Sequence, residues 1–469
     1  MKKFIIIFVA IAERDIDFYL DAIKELTIHH PDWQYAIASL YQPGRKKVIQ
    51  QEGVLYYDTY NEKDAYSEIT PEDITRLEIE YGIENFHRMT LHESVTFGVV
   101  NLQLLYLKFA NYLRASDNIL STIKTDFNNY TPVIIQELGG FIGPLSYYYS
   151  AVKHKIDHYF LEPAFFKGRI LFNKNSLNVI VDSALFEQTI VAPQVIDFIK
   201  ETISQKTVVS AIKDQHHYQD MSLKKICNAT NAKKVFRKLW LKYVMGQKQE
   251  YDHVANHILR YLRMFVNRKL NNKSYLKDLL LLEKERFFYF PFHVQLDYSL
   301  TVRSPEYLDQ LGLIENILKV LPAGIKIAAK EHPASIGCLP YDRTKKNIQK
   351  ENFILLHPSL NSYDIIKMSL GVVTINSKVG AEALLLNKFV FVFGNSFYSH
   401  PELVILFNNW KAFECGVRKV SLNSTPVINN KIQPFFSYFW NKSQPTELYW
   451  NEPQNIQNFT KAICLEIQS

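Results

Sequence analysis

Short apolar runs alternate with longer amphipathic stretches along most of the chain. In the first part the runs predict strands at residues 3–11, 33–40, 54–57, 132–136 and 157–161, and apolar residues recur at helical spacing between them. Strands that alternate with helices form parallel sheets, because each crossover helix returns the chain to the same end of the sheet. The first part therefore predicts a doubly wound α/β sheet.

A second alternating block begins at residue 286. Its apolar runs predict strands at residues 287–294, 324–329, 353–356, 371–375 and 389–393. The predicted fold class is α/β, with two Rossmann-like domains that face a cleft and a helical basic section in the first half. The predicted units are an N-terminal domain (1–285, including the helical section 194–285), a C-terminal domain (286–452) and a terminal helix that crosses back (453–469).

Length and composition limit the class of protein. The chain has 469 residues, of which 47% are hydrophobic, so it can build two or three domains with their own cores. Its four cysteines are scattered and form no CxxC pair, which fits a reducing compartment. The opening apolar run, residues 4–12, is too short to span a membrane. We therefore expect a cytoplasmic protein that is at most peripheral to a membrane.

The net charge of +7 is unevenly distributed. Residues 221–286 contain sixteen Lys or Arg against five Asp or Glu, interleaved with apolar residues at helical spacing. A basic amphipathic region of this kind suggests an anionic membrane surface or a lipid-linked acceptor. The alternative is a solvated helical face. No nucleic-acid recognition signature accompanies the charge, so we expect no nucleic-acid partner.

Residues 371–398 form the most informative stretch, with the pattern strand, tight turn, helix, strand. Asn376 and Ser377 can cap the helix, whose free N–H groups and positive dipole end would receive a phosphate. Glu382, early in the helix, could hydrogen-bond ribose hydroxyls. The alternative is a capped βαβ unit with a solvated glutamate.

Two further loops follow predicted strands and would open into the same cleft. The first, residues 293–299, contains Asp297, whose carboxylate could attack or stabilise an oxocarbenium-like sugar carbon. The second contains Lys330 and His332, which could neutralise a departing phosphate. Each residue alone has a structural explanation, but together they suit cleavage of a sugar–phosphate bond. The acidic pair Asp15 and Asp17 and the histidine pair His253 and His257 do not predict a metal site.

The chain resembles the bacterial capsule polysaccharide biosynthesis proteins. The resemblance rests on KEHP, LLHPSLNSYDII and VVTINSKVGAEALLLNKFVFVFGNSFY, on FFYFPFHVQLDYSL upstream, and on QELGGFIGPLSYYYSAVKHKIDHYFLEPAFFKGR in the first half. It covers residues of about 130–170 and 286–398. Members of this family have two Rossmann-like domains in the GT-B arrangement, and several are retaining β-Kdo transferases that use CMP-β-Kdo without an active-site metal.

The resemblance implies a role for each matching residue. Asp297 matches the proposed nucleophile, Gln295 precedes it by two residues as in the family, and Glu137 is the candidate acceptor-side base. His332 would contact the CMP phosphate or the Kdo carboxylate. The implied donor-binding set is completed by Lys330, Asn376, Ser377 (phosphate), Lys378 and Glu382 (ribose). Leu296-Asp297 stands where some relatives have Pro-Glu, and His293 where others have Gln, which leaves the donor sugar and the nucleophile open.

These observations predict a glycosyltransferase of surface polysaccharide assembly. It would transfer Kdo from CMP-β-Kdo to a glycan or lipid-linked acceptor, with retention through an Asp297 adduct and with no cofactor or metal. One alternative keeps the fold and changes the donor to CMP-sialic acid or a UDP-sugar. A sugar-nucleotide epimerase is a second alternative, and a non-catalytic partner of an assembly complex is a third.

Overall fold

The computed structural model describes residues 2–206, 228–250, 253–422 and 429–468. Within these ranges the first half builds a six-stranded sheet in the order β3-β2-β1-β4-β5-β6. All its neighbouring strands are parallel except β5 and β6, which pair antiparallel. The strands are β1 (Phe4–Ala10), β2 (Gln34–Ser39), β3 (Val54–Asp58), β4 (Thr131–Glu137), β5 (Asp157–Pro163) and β6 (Ile170–Lys174).

The second half builds another six-stranded sheet, in the order β12-β11-β10-β7-β8-β9, with every pair parallel. Both sheets therefore have the strand order 3-2-1-4-5-6 of a Rossmann fold. The strands are β7 (Phe287–Pro291), β8 (Lys326–Lys330), β9 (Phe353–Leu356), β10 (Gly371–Thr374), β11 (Phe389–Val392) and β12 (Ile405–Leu406).

Helices cover both faces of the two sheets. In the first half they are Glu13–His29, Arg45–Ile49, Pro71–Tyr81, Phe86–Phe97, Leu102–Asp126, Ile142–His154, Ser183–Glu187, Pro193–Gln205, Ala229–Tyr243 and Val254–Asn271. In the second half they are Tyr298–Thr301, Gln310–Val320, Tyr341–Ile348, Ser362–Met368, Lys378–Leu385, Trp410–Leu422, Ile432–Lys442 and Pro453–Gln468. Among the described residues no helix combines the length and the apolar character needed to cross a membrane.

Helices from each half of the chain pack in the core of the other half. Helix Pro453–Gln468 packs against helix Glu13–His29 on one face of the first sheet, where the rings of Phe18 and Phe459 lie 4.8 Å apart. Conversely, helices Ser183–Glu187 and Pro193–Gln205 pack against helix Ile432–Lys442 in the core of the second half. The two halves are thus joined by exchanged helices as well as by the chain connection.

The predicted fold class is confirmed, with differences in several elements. Strands β6 and β12 and the helices at 410–422 and 432–442 were not predicted. The helical pattern of residues 304–321, which alone would suggest one helix, is divided into a 3₁₀ turn, Pro305–Tyr307, and helix Gln310–Val320, because the Asp309 carboxylate caps a new start. The described part of the helical section 194–285 is mostly helical, and its residues 207–227 and 251–252 lie outside the described ranges.

Candidate active site

The loops after β7 and β10 meet at the carboxyl edge of the second sheet. The chain continues from β7 to its neighbour β8 on one side, and from β10 to its neighbour β11 on the other. The loops after β7 and β10 therefore diverge and leave a crevice between them, of the kind that binds nucleotides in such sheets. The backbone N–H of Asn376 donates to Nε2 of His293 at 3.3 Å, and Thr374 Oγ1 lies 3.4 Å from the same nitrogen. Burial lowers the pKa of His293 to about 4, so the neutral ring accepts at Nε2.

Asp297 caps the short helix Tyr298–Thr301. Its Oδ1 accepts hydrogen bonds from the backbone N–H of Ser299 at 2.8 Å and from the Ser299 hydroxyl at 2.7 Å. The Asp297 side chain is partly exposed at the crevice. The cap holds one carboxylate oxygen, Oδ1, and Oδ2 accepts no hydrogen bond from the described residues.

The residues after Asp297 contact the first domain directly. Tyr298 donates through its hydroxyl to Glu162, and Arg303 forms a bidentate pair with the same carboxylate, with N–O distances of 2.9 and 2.8 Å. Thr301 Oγ1 lies 2.7 Å from Nδ1 of His92, whose pKa burial lowers to about 4 while the nearby Asp297 carboxylate opposes the shift. Asp297 therefore lies where the two domains meet.

The helix that begins at Lys378 is capped as predicted by Ser377, whose Oγ accepts from the backbone N–H of Val379 at 3.3 Å. Tyr398 donates through its hydroxyl to the carbonyl of Ser377, and a Cβ on Gly380 would lie 2.3 Å from that hydroxyl. Only glycine leaves room for this contact. The glycine and the terminal tyrosine of the TINSKVG…GNSFY stretch thus fix the turn after β10 together.

Asn376 takes a different role from the predicted cap. Its side-chain amide donates to the carbonyl of Ser299, to the hydroxyl of Ser304 at 3.1 Å and to the carbonyl of Asn395 at 3.2 Å. These bonds tie the turn after β10 to the segment that follows Asp297. Lys378 reaches the first domain, where its Nζ donates to the carbonyl of Ala164 at 3.4 Å.

Lys330 and Glu382 lie buried behind the crevice. Lys330 donates to the carbonyl of Leu360 and to the hydroxyl of Ser362, both at 2.7 Å. Burial lowers the pKa of Lys330 to about 8, against the attraction of Glu382, and raises the pKa of Glu382 to about 8, against Lys330 and Lys378. Glu382 is 2% exposed, and its Oε2 has no hydrogen-bond partner among the described residues.

His332 follows β8 and begins the 3₁₀ turn Pro333–Ser335, where its Nδ1 accepts from the backbone N–H of Ala334 at 3.1 Å. The preceding Glu331 is buried and accepts from the hydroxyl of Tyr275 and from the backbone N–H groups of Gly337 and Leu339. Glu331 therefore holds the loop that presents His332.

Glu137 ends β4 and lies at the equivalent crevice of the first sheet. Its Oε2 accepts from the hydroxyl of Tyr449 and lies 3.7 Å from Nη2 of Arg14. Asp15 lies beside it, and burial, reinforced by the Glu137 charge, raises the pKa of Asp15 to about 6. Asp15 accepts at Oδ2 from the backbone N–H groups of Ile11 and Ala12, so its carboxylate holds the start of the first helix.

A cavity of about 650 Å³ adjoins the Asp297 loop. One wall is helix Val254–Asn271, and the other consists of the loops after β7 and β8, including Gln295 and Ser335. The helix is hydrogen-bonded to both domains. Asn256 donates to the carbonyl of Phe97 in the first domain, and Asn267 donates to the carbonyl of Gly337 in the second. Arg260 and Arg263 of this helix line the cavity beside apolar side chains.

The second sheet therefore brings together the predicted residues of the three loops. Glu137 lies at the edge of the first sheet instead, in its own network with Arg14 and Tyr449. Sequence reasoning assigned no role to His92, Glu162 or Arg303. His92 lies in the middle of helix Phe86–Phe97, where no local pattern marks it, whereas Glu162 was visible in the Glu-Pro pair but only as part of the resemblance.

No group of three or more possible metal-ligating side chains occurs within the described ranges. His253 and His257 both pack against the ring of Phe97, with ring centroids 4.4 and 5.9 Å away. They are therefore packing residues between the helical section and the first domain.

The sequence profile of the family described as capsule polysaccharide biosynthesis protein matches residues 149–405, more than half of the chain. Comparison with curated proteins finds no match. Among solved structures, the chain is similar to the β-Kdo 2,4 transferase of KpsC from Thermosulfurimonas dismutans, with a TM-score of 0.38 and 10% identity over 72% of this chain and 88% of that chain.

Two other solved structures are similar over their whole lengths. A glycosyltransferase from Rickettsia africae gives a TM-score of 0.31 at 10% identity, covering 100% of this chain and 98% of that chain. A UDP-GlcNAc 2-epimerase from Methanocaldococcus jannaschii also gives 0.31 at 10% identity, covering 100% of both chains.

Proposed function

The chain belongs to the capsule polysaccharide biosynthesis protein family, and from this membership we propose that it is a glycosyltransferase of bacterial surface polysaccharide assembly. The observation that carries the proposal is the position of Asp297. Its carboxylate lies at the carboxyl edge of the second sheet and adjoins the first domain through Tyr298, Thr301 and Arg303. A catalytic carboxylate that must contact both the sugar donor and the acceptor is expected at this junction between the two domains.

We propose CMP-β-Kdo as the donor, on the resemblance to β-Kdo transferases. In the first step Oδ2 of Asp297 attacks the anomeric carbon, the carbon–oxygen bond to the CMP phosphate breaks, and CMP leaves with the bonding electrons. The product is a sugar ester of Asp297 with inverted configuration. The Ser299 bonds to Oδ1 orient the carboxylate for this attack.

In the second step an acceptor hydroxyl attacks the same carbon and loses its proton to a base, for which Glu137 is our candidate. The ester bond breaks, the Asp297 carboxylate is restored, and two inversions give net retention. The acceptor is a glycan or a lipid-linked glycan. We place this activity on the cytoplasmic side, with the protein peripheral to the inner face of the membrane.

The donor contacts follow from the chemistry of the leaving group. Ser377 and the helix N-terminus behind it suit the CMP phosphate, and His332, Gln295 and Lys378 would meet the phosphate or the Kdo carboxylate. Asn376 fixes the turn, and Lys330 supports the loop from behind. Cations and backbone amides meet the developing charge, so the proposed reaction requires no metal. Glu382 would reach the ribose only after its buried carboxyl is uncovered.

The test is the intact mass of the protein after incubation with CMP-β-Kdo, with wild type beside Asp297→Asn. Asparagine can still cap the short helix, so the variant should fold normally. A mass gain of one Kdo in the wild type, absent from Asp297→Asn, is the expected result.

Other outcomes discriminate the alternatives. CMP release that requires acceptor but leaves no adduct would keep the transferase and remove the covalent step. If no adduct, no CMP release and no donor binding are detected, the Kdo assignment is wrong. The same assay with CMP-sialic acid and UDP-sugars would then identify the donor. Turnover of a nucleotide sugar without acceptor would indicate an epimerase. Unchanged polysaccharide assembly in cells carrying Asp297→Asn and His332→Ala would indicate a non-catalytic partner.

A further inference from the structure

Helix Ala229–Tyr243 contacts helix Val254–Asn271 but has no buried residue of its own. Phe236, Trp240 and Tyr243 are 66%, 48% and 74% exposed, and their spacing of four and three residues places them on one face of the helix. The rings of Phe236 and Trp240 lie 6.3 Å apart on that face. Monomeric proteins rarely expose aromatic side chains in this grouping, so the face requires a partner.

The neighbouring helix Val254–Asn271 contacts the first and extends the apolar surface. Met264 and Asn267 turn toward the loop at Gly337, whereas an opposite stripe remains in solvent. Its exposed apolar members are Ile258, Leu259, Tyr261, Leu262, Val266 and Leu270. We name the exposed faces of these two helices the docking surface.

The charged residues of the docking surface itself are almost all basic. Residues 228–250 and 253–273 contain eleven basic residues: Lys233, Lys234, Arg237, Lys238, Lys242, Lys248, Arg260, Arg263, Arg268, Lys269 and Lys273. Glu250 is the single acidic residue in these ranges, and it is buried, where it pairs with Lys108 at 2.9 Å. The exposed charges that these ranges carry are therefore cationic, and one of them, Arg237, pairs with Glu13 of the first domain at 3.1 Å. A partner must supply both anionic groups and an apolar phase.

We infer that the docking surface binds the face of an anionic lipid bilayer. Aromatic and aliphatic side chains enter the boundary between headgroups and acyl chains, and the flanking lysines and arginines meet lipid phosphates. A nucleic acid would satisfy the cations but would leave the aliphatic stripe in water. An interfacial helix needs no buried residue of its own, which fits helix Ala229–Tyr243.

The docking surface adjoins the cavity beside Asp297. Leu259, Leu262 and Val266 belong to the exposed stripe and also line that cavity. Bilayer binding would therefore place the cavity, and Gln295 within it, at the lipid surface. This consequence rests on the proposed function, because it makes the cavity the entrance for a membrane-borne acceptor. The binding itself does not depend on catalysis.

The test is sedimentation of the full-length protein with vesicles of phosphatidylcholine alone or with 30% phosphatidylglycerol. We expect binding to the anionic vesicles at low salt, weakening at 0.5 M salt, and little binding to neutral vesicles. Lys233→Gln/Lys234→Gln should weaken binding about 30-fold, since each basic residue near an anionic bilayer contributes roughly 5-fold. Lys411→Gln/Lys419→Gln, at exposed positions of helix Trp410–Leu422, is the matched control and should bind as the wild type does.

A second readout tests the apolar contact. Brominated lipids should quench part of the tryptophan fluorescence, and Trp240→Phe should remove most of that quenching. Phe236→Ser/Trp240→Ser should lose binding but unfold at the wild-type temperature, because neither side chain is buried.

Three results would overturn the inference: no binding to anionic vesicles at low salt, full binding by the serine variant, or equal binding to a DNA duplex. If vesicle binding fails but the Kdo adduct forms, this inference alone is wrong. If vesicles bind but no nucleotide sugar reacts, the proposed function is wrong instead.

Discussion

Glu162 and Arg303 form a bidentate ion pair buried between the two domains, with Nη1–Oε1 and Nη2–Oε2 distances of 2.9 and 2.8 Å. Asn173 donates to the same carboxylate at 2.8 Å, and Arg303 donates from Nε to the carbonyl of Leu177. Burial alone would raise the pKa of Glu162, but attraction to Arg303 outweighs burial and lowers it. The pair attaches the segment after Asp297 to the first domain.

Breaking this pair should be costly. Arg303→Met leaves the Glu162 carboxylate buried without its cation, so we expect a loss of roughly 3–5 kcal/mol in the free energy of unfolding. Urea denaturation at pH 7 measures it. Arg343→Met is the control, because Arg343 pairs with Asp309 on the surface at 2.7 Å and should cost about 1 kcal/mol or less. Equal losses in the two variants would contradict a structural role for the buried pair.

The same pair predicts a dependence on pH. Because the folded pKa of Glu162 lies below its unfolded value, near 4.3, the ionised pair stabilises the fold fully above that value. The stabilisation is lost as pH falls through the folded pKa. Glu162→Gln should therefore be less stable than wild type at pH 7, with the difference shrinking below about pH 4.

Adjacent glycines in the loop after β4 should respond differently to alanine. A Cβ on Gly140 would lie 2.4 Å from Cγ of His92, whereas a Cβ on Gly139 would meet nothing within 4 Å. Gly140→Ala should displace His92 from Thr301 and cost about 1–3 kcal/mol of stability, as overpacking does. Gly139→Ala should change stability by less than about 0.5 kcal/mol. Thermal unfolding compares them, and a neutral Gly140→Ala would show that His92 can move freely.

The sequence predicted the parts of this site that depend on strand ends. Asp297, His332 and Ser377 follow apolar runs, and parallel strands bring such positions to one edge. His92 and Arg303 could not be found in this way, because their contacts join segments about 200 and 140 residues apart. The role of Asn376 was also missed, since its amide bonds to Ser299 and Ser304 depend on how two loops fold over each other. Strand β12 has two residues, too few to give a periodic pattern.

Glu382 should destabilise the folded protein as pH rises. Its folded pKa is raised to about 8, against about 4.3 in the unfolded chain, so the folded state holds an extra proton between these values. Glu382→Gln removes this penalty, and its advantage should grow by at most about 1.4 kcal/mol per pH unit between pH 5 and 8. Urea denaturation across that range measures it. Glu283→Gln, at an exposed position, is the control, and parallel profiles for the two variants would refute the prediction.

His158 should have the opposite dependence. Neither of its ring nitrogens has a hydrogen-bond partner among the described residues, and the ring packs between Tyr148 and Phe160. Burial lowers its pKa to about 3, so the unfolded chain binds an extra proton below pH 6.5 and stability falls as pH falls. His158→Phe should be more stable than wild type by roughly 2 kcal/mol at pH 5. His29→Gln, on the surface, should leave the slope unchanged.

The exchange of helices between the halves has a consequence for synthesis of the protein. Helix Pro453–Gln468 covers one face of the first sheet, and the ribosome completes it only when residue 468 has been made. Until then, while more than 400 residues are added, Phe18 and its apolar neighbours remain exposed to solvent. The first domain therefore completes its fold last, although its strands are translated first. A nascent chain of this kind is a natural client for chaperones that shield apolar surfaces during translation.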